Sequence, residues 1–193
     1  MLVAVRVGGA TRRVITSSDI RNRSWTIARG IRPRHVLPVP FLLAAVIAVA
    51  QLLWLIPPLR WGWWTAIGGL GNPVFGTTER NQDTVLAWLV PIVFIVLLLP
   101  ALPLFAEAEE RRFRVGAESW STRRRIWRGI VFGSVHALIG IPIAFALALS
   151  VGGWWFIYRY LKGGLLESTR AHTAYNGVIV LMVLVALVLD GVT

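Results

Sequence analysis

"TVLAWLVPIVFIVLLLPALPLFAEAEERRFR" (84–114) decides how this chain has to be read. Its first part, 84–105, carries no charged residue. An apolar run of about 20 residues matches the roughly 30 Å hydrocarbon core of a bilayer, so 84–105 is predicted to be a membrane-spanning helix. Directly against it stand three glutamates (Glu107, Glu109, Glu110) and three arginines (Arg111, Arg112, Arg114). The arginines by themselves would mark a cytoplasmic end, because acidic residues contribute little to orientation. The glutamates therefore need another explanation, and ionisable groups at the edge of lipid point to function.

Composition agrees with a membrane protein. A mean hydropathy of +0.66 with only 15% charged residues over 193 positions is too apolar for a soluble domain and fits one integral-membrane domain. The ten tryptophans suit the membrane interface. No cysteine is present, which excludes disulfides and thiolate chemistry. A net charge of +11 raises nucleic acid as a partner, so the placement of the 20 basic residues has to decide.

Working outward from 84–105, four further apolar runs qualify: 37–56, a short one at about 126–141 that holds Arg128 and His136, 143–161, and about 168–189. The fold class predicted is all-α, a polytopic transmembrane helix bundle of about five spans. Five crossings put 1–36, 106–128 and 159–170 on one side. That side holds 18 of the 20 basic residues, leaving only Arg60 and Arg80 opposite. By the positive-inside rule the N-terminus is cytoplasmic and the protein is a multi-pass protein of the cell membrane. The positive charge is thereby explained by topology, and no nucleic acid is expected.

The domain organisation follows. Residues 1–36 read as a basic cytoplasmic arm that is polar, Arg-rich and without helical periodicity, lying against anionic headgroups of the bilayer. Residues 37–193 read as the membrane-embedded helical domain. "AVA" at 48–50 imitates a signal-peptidase site, but the apolar run continues through "LLWLI" and the preceding arm is long for a signal n-region, so a retained helix is expected. The stretch 57–83 has turn formers and tryptophans and reads as an interfacial outer loop.

Three polar clusters stand on the predicted helices. In "EERRFR" (109–114), Glu110 and Arg114 are four apart and share a face, while Glu109 points about 100° away. An ion pair between Glu110 and Arg114 leaves Glu109 free. In "FGSVH" (132–136), Phe132 stands one turn before His136 on the same face and can wall the imidazole. In "HTAYN" (172–176), His172 and Asn176 share a face and can donate hydrogen bonds to one point. Each cluster alone also fits a bland role, as a topology signal or a polar contact between helices. Together they sit on three segments that the topology brings into the cytoplasmic half of the bilayer, which points to a functional site. His35, in a Pro-rich basic junction, shows no partner pattern.

In this order the three motifs resemble the CAAX-protease and bacteriocin-processing (CPBP, or Abi) membrane proteins, which include type II CAAX prenyl endopeptidases. That family's pattern is EExxxR, then FxxxH, then HxxxN or HxxxD. The resemblance covers about residues 100–180, and "GGWWFIYRYLKGGLLESTRAH" (152–172) is also similar to the family's glycine-punctuated helix and basic turn. It implies an intramembrane glutamic endopeptidase acting on a membrane-associated peptide or protein. Glu109 would be the general base, with His136 helping to orient and polarise the water. His172 and Asn176 would donate to the tetrahedral oxyanion, and Glu110, Arg114 and Phe132 would support them. No cofactor is implied. Zinc is the alternative, since two histidines and a glutamate make an open three-ligand set, although no HExxH is present. The alternative from another class is a non-catalytic immunity or scaffold protein of the same fold.

Overall fold

The computed structural model describes residues 2–62 and 85–190, and among these the chain is helical throughout, with no strand. The helices are α1 (Leu2–Thr16), α2 (Ser18–Arg29), α3 (Pro33–Val36), α4 (Val39–Trp54), α5 (Val85–Leu98), α6 (Leu102–Arg114), α7 (Thr122–Ser134), α8 (Ile143–Ala148) and α9 (Ser150–Asp190). Most of the predicted outer loop, 63–83, lies outside the described residues. Three helical segments are long and apolar enough to cross a membrane: Pro33–Trp54, Ile92–Ser119 and Ile143–Leu189.

Each segment carries the marks of its sequence. On α4, Val39, Val46 and Ala50 are buried, whereas Phe41, Ile47 and Leu52 are exposed large apolar residues of the kind a bilayer covers. The buried stripe packs near the small residues of α8, where Ala144, Ala146 and Ala148 are all fully buried. The second segment is interrupted where the sequence places Pro100 and Pro103. A short 3₁₀ turn, Leu99–Ala101, joins α5 to α6 because proline has no N–H to continue the α-helical ladder.

The arm 1–36 departs from expectation. It forms α1, α2 and α3, and the first two dock on the proline break. Thr11 Oγ1 donates to the Leu97 carbonyl at 2.6 Å and Ser24 Oγ donates to the Pro100 carbonyl at 2.9 Å. Arg23 grips Glu107 with two nitrogens, at 2.7 and 3.1 Å. The periodicity exists but is made of small residues: Val7, Ala10, Thr11 and Val14 are buried at helical spacing, and Ser24 and Ile27 continue the pattern on α2. Ser17, extended at φ −109° and ψ 118°, separates α1 from α2 as an N-cap.

The stretch 126–141, predicted as a short span, is not one continuous helix. α7 ends at Ser134, a 3₁₀ turn follows over Val135–Ile139, and Gly140 takes the left-handed conformation (φ 98°) before Pro142 starts α8. The predicted spans 143–161 and 168–189 flank a bend in α9 at Gly163 and Gly164. Gly164, at φ 71° and ψ −166°, occupies backbone space that residues with a Cβ avoid.

α9 packs along α6 and α7 and carries the site residues to them. Its first half meets α7 through glycines. A Cβ on Gly153 would stand 2.9 Å from the Gly129 carbonyl oxygen, and one on Gly133 would stand 2.6 Å from Ser150 Oγ. Small residues allow this backbone approach in the absence of side chains. The core at the crossing consists of Val39, Phe113, Phe132, Phe156, Ala171 and Tyr175.

Candidate active site

The predicted Glu110–Arg114 pair on α6 occurs, and a second i, i+4 pair that the sequence reading did not make stands beside it. Glu107 holds Arg111 one turn on, at 2.7 Å, as well as Arg23. Glu110 lies 3.4 Å from Arg114, and both side chains are sealed from solvent. The Arg114 guanidinium sits 4.0 Å over the Phe132 ring, with Phe113 and Phe156 further out. Its nitrogens make no hydrogen bond among the described residues. A buried guanidinium in this position is held by one carboxylate and by aromatic faces, whose attraction reaches about 2 kcal/mol when desolvated.

The second half of α9 brings His172 to the same carboxylate. His172 Nδ1 lies 2.9 Å from Glu110 Oε1, and Nε2 lies 3.6 Å from Glu109 Oε2. An ionised carboxylate only accepts, so Nδ1 carries the proton toward Glu110. That hydrogen bond fixes the ring and turns Nε2 to Glu109. The imidazole is stacked on Phe156 (4.3 Å between centroids, 19° between planes) and meets the Phe132 edge at 5.6 Å. The two adjacent glutamates have opposite surroundings. Glu110 is fully buried, while the Glu109 side chain is 40% exposed.

His136 reaches the cluster through Phe132, whose ring lies 5.0 Å from the imidazole. Its Nδ1 is 2.9 Å from the Phe132 carbonyl oxygen, one turn back. A carbonyl accepts, so Nδ1–H donates and Nε2 is left as the lone-pair nitrogen. Among the described residues no hydrogen bond or ion pair joins His136 to Glu109 or Glu110. Asn176 is half-buried one turn beyond His172 and makes no side-chain hydrogen bond among the described residues. The structure thus joins Glu109, Glu110, Arg114, His172 and Phe132 directly, with His136 touching them through Phe132 alone. The chemistry available is a fixed imidazole beside an accessible carboxylate. No group of three or more His, Asp or Glu among the described residues is placed to hold a metal ion. The two large cavities described, beside α7 and between α2 and the proline break, do not include these residues.

A second charged cluster lies where no partner pattern was visible. His35 is 1% exposed. Its Nδ1 accepts from the Arg32 backbone N–H at 2.8 Å, so Nε2 is the protonated nitrogen and donates to Glu167 Oε1 at 3.1 Å. Glu167 also accepts from Arg34 at 2.9 Å and from Arg159. One carboxylate thereby ties α3 to both sides of the α9 bend, a few residues before His172. Phe156, inside the stretch 152–172 but given no role by the sequence reading, is likewise part of the site.

With this geometry in hand, comparison with known proteins adds no relative: no family model matches the chain, and no curated protein or solved structure is significantly similar to it.

Proposed function

We propose that the chain is a multi-pass membrane peptidase of the CPBP type that hydrolyses a peptide bond of a membrane-associated substrate with a glutamate-activated water. The observation that carries this reading is the Glu110–His172–Glu109 relay, which unites "EERRFR" and "HTAYN" across the bundle. Glu110 holds His172 from behind. Glu109, the carboxylate with access to solvent, is left to act on a water beside Nε2.

In the reaction, Glu109 takes a proton from water as the water oxygen attacks the peptide carbonyl. Glu109 then returns that proton to the departing amine, so one water is consumed and the proton count closes. Asn176, one turn beyond His172 on α9, and His172 are the donors assigned to the tetrahedral oxyanion. His172 acts in that role through Nε2 only when it carries both protons, since Nδ1–H is engaged by Glu110. His136 offers the Nε2 lone pair to orient the water.

The membrane arrangement belongs to the same reading. Ile143–Leu189 is 47 residues long, or about 70 Å if straight, more than twice the hydrocarbon thickness. The Gly163–Gly164 bend supports two crossings there, with Arg159, Lys162 and Arg170 at the turn on the cytoplasmic side together with the N-terminus.

A non-catalytic immunity or scaffold role is favoured by one feature, the complete burial of Glu110, Arg114 and His172, which also suits a sealed structural network. That role leaves the exposed Glu109 without a purpose. The deciding assay is cleavage of membrane peptides, including a prenylated C-terminal peptide, by purified wild type and Glu109→Gln, with and without chelator. Turnover is expected to vanish in Glu109→Gln while substrate still binds, and to survive chelation. Asn176→Ala is expected to lose about a hundred- to thousandfold in rate. Undiminished cleavage by Glu109→Gln sinks the base assignment. Loss of wild-type activity on chelation with recovery on adding zinc assigns the water to a metal instead.

A further inference from the structure

α7 buries one side and, among the described residues, leaves Arg123, Arg124, Ile126 and Trp127 exposed on the other. Gly129, Phe132 and Gly133 face α9 and the core, while Arg123, Ile126, Trp127 and Ile130 recur at i, i+3, i+4 and i+7 on the opposite side. Among the described residues that side alone lines an open cavity of about 600 Å³, through Ser121, Arg123, Arg124, Ile126, Trp127 and Ile130. Its chemistry is graded along the helix. The two arginines and the first turn lie at one end, and the apolar side chains follow from Ile126 to Ile130, about 6 Å along the axis. Trp127 is 61% exposed and Ile126 49%, far more than apolar side chains tolerate against water in a row.

We propose that this face binds an anionic phospholipid, with the phosphate on Arg123 and Arg124 and the glycerol and upper acyl chain along Ile126, Trp127 and Ile130. Charge complementarity carries the choice of occupant. Neither arginine forms an ion pair among the described residues, and Arg124 instead stands 5.0 Å over the Trp120 ring. A soluble acidic partner would match the arginines but not the adjoining exposed apolar strip. A lipid matches both ends, and a chain with three segments able to cross a membrane brings α7 to one. This inference does not depend on peptidase activity, because none of these residues belongs to the candidate active site.

The test uses the full chain in a neutral detergent, titrated with long-chain phosphatidylglycerol and phosphatidylcholine and read by native mass spectrometry. Wild type is expected to retain phosphatidylglycerol selectively. Arg123→Gln/Arg124→Gln is expected to bind it about tenfold more weakly or worse. Arg112→Gln/Lys162→Gln makes the same charge change at exposed positions that do not line the cavity and is expected to bind like wild type. Trp127→Ser keeps the arginines and is expected to weaken binding of long-chain phosphatidylglycerol while leaving the dihexanoyl form unaffected. Equal losses in both double variants, or equal binding of the two headgroups by wild type, would overturn the proposal. Displacement by inorganic phosphate would assign the arginines to a free anion. Saturable binding of a polyglutamate peptide in place of lipid would assign the face to a protein.

Discussion

His172 donates through Nδ1 to Glu110 at 2.9 Å, joining α9 to α6 across 62 positions of sequence, while its other nitrogen faces Glu109. The two glutamates are neighbours in the chain and differ in everything that matters for their roles. Glu110→Gln keeps the shape but leaves the buried Arg114 uncompensated, which costs about 3–5 kcal/mol. Glu109→Gln alters a partly exposed group and is expected to change stability by less than about 1 kcal/mol. Unfolding in mixed micelles should rank Glu110→Gln far below Glu109→Gln. Equal midpoints would remove the division into a structural and a reactive carboxylate.

Arg114 extends the same logic. It is the largest fully buried side chain among the described residues, wedged between Glu110 and the Phe132 ring. Arg114→Ala is expected to lower folded yield in detergent strongly, whereas Arg112→Ala, two residues away on an exposed position, should stay near wild type. Arg114→Lys keeps the charge but loses the planar face that lies on Phe132, so it should fall between them. A lysine variant as stable as wild type would show that the aromatic contact contributes nothing.

These pairings explain what could be seen before the structure. The four-residue spacing of Glu110 and Arg114 was readable because an α-helix turns a local interval into a contact. Grouping His172 with the glutamates required the order of motifs, not any spacing within the chain. The salt link from His35 to Glu167 left no trace, since 132 positions separate the residues and neither stands in a periodic pattern. The helices of the arm were hidden for a different reason. Their buried stripe uses Ala10, Thr11 and Ser24, whose small side chains hardly register as apolar, and their anchors are hydroxyls bonded to carbonyls at a proline break. The end of α7 was obscured by the continuing apolar run, although Gly140 and Pro142 were the signals that stop it.

Glu167 makes the arm junction and the α9 bend one unit. With Arg34, His35 and Arg159 all on its carboxylate, loss of the charge releases both α3 and the first half of α9. His35→Gln and Glu167→Gln should each destabilise the protein, and the double variant should lose less than the sum. A coupling of about 0.5–3 kcal/mol is expected from a double-mutant cycle. Strict additivity would mean that the two groups do not act on each other.

The path of the chain through the bilayer gives the last prediction. A chain without cysteine accepts single thiols as unambiguous markers of sidedness. In the five-span reading the chain leaves the cytoplasm after α7, turns near residue 140 and re-enters along α8 and the first half of α9. Leu138, 76% exposed, then faces outward, while exposed Ser119 and Lys162 face the cytoplasm. In that reading the positive charge of Arg159, Lys162 and Arg170 holds the bend on that side. In right-side-out vesicles, an impermeant maleimide should therefore label Leu138→Cys but not Ser119→Cys or Lys162→Cys, and inverted vesicles should give the opposite pattern. If α7 instead lies along the cytoplasmic surface and α9 crosses only once, Leu138→Cys will label together with Ser119→Cys, and Lys162→Cys will resist the reagent from both sides. That pattern would overturn the five-span count. It would also move the Glu167 link and the start of the second half of α9 away from the cytoplasmic face.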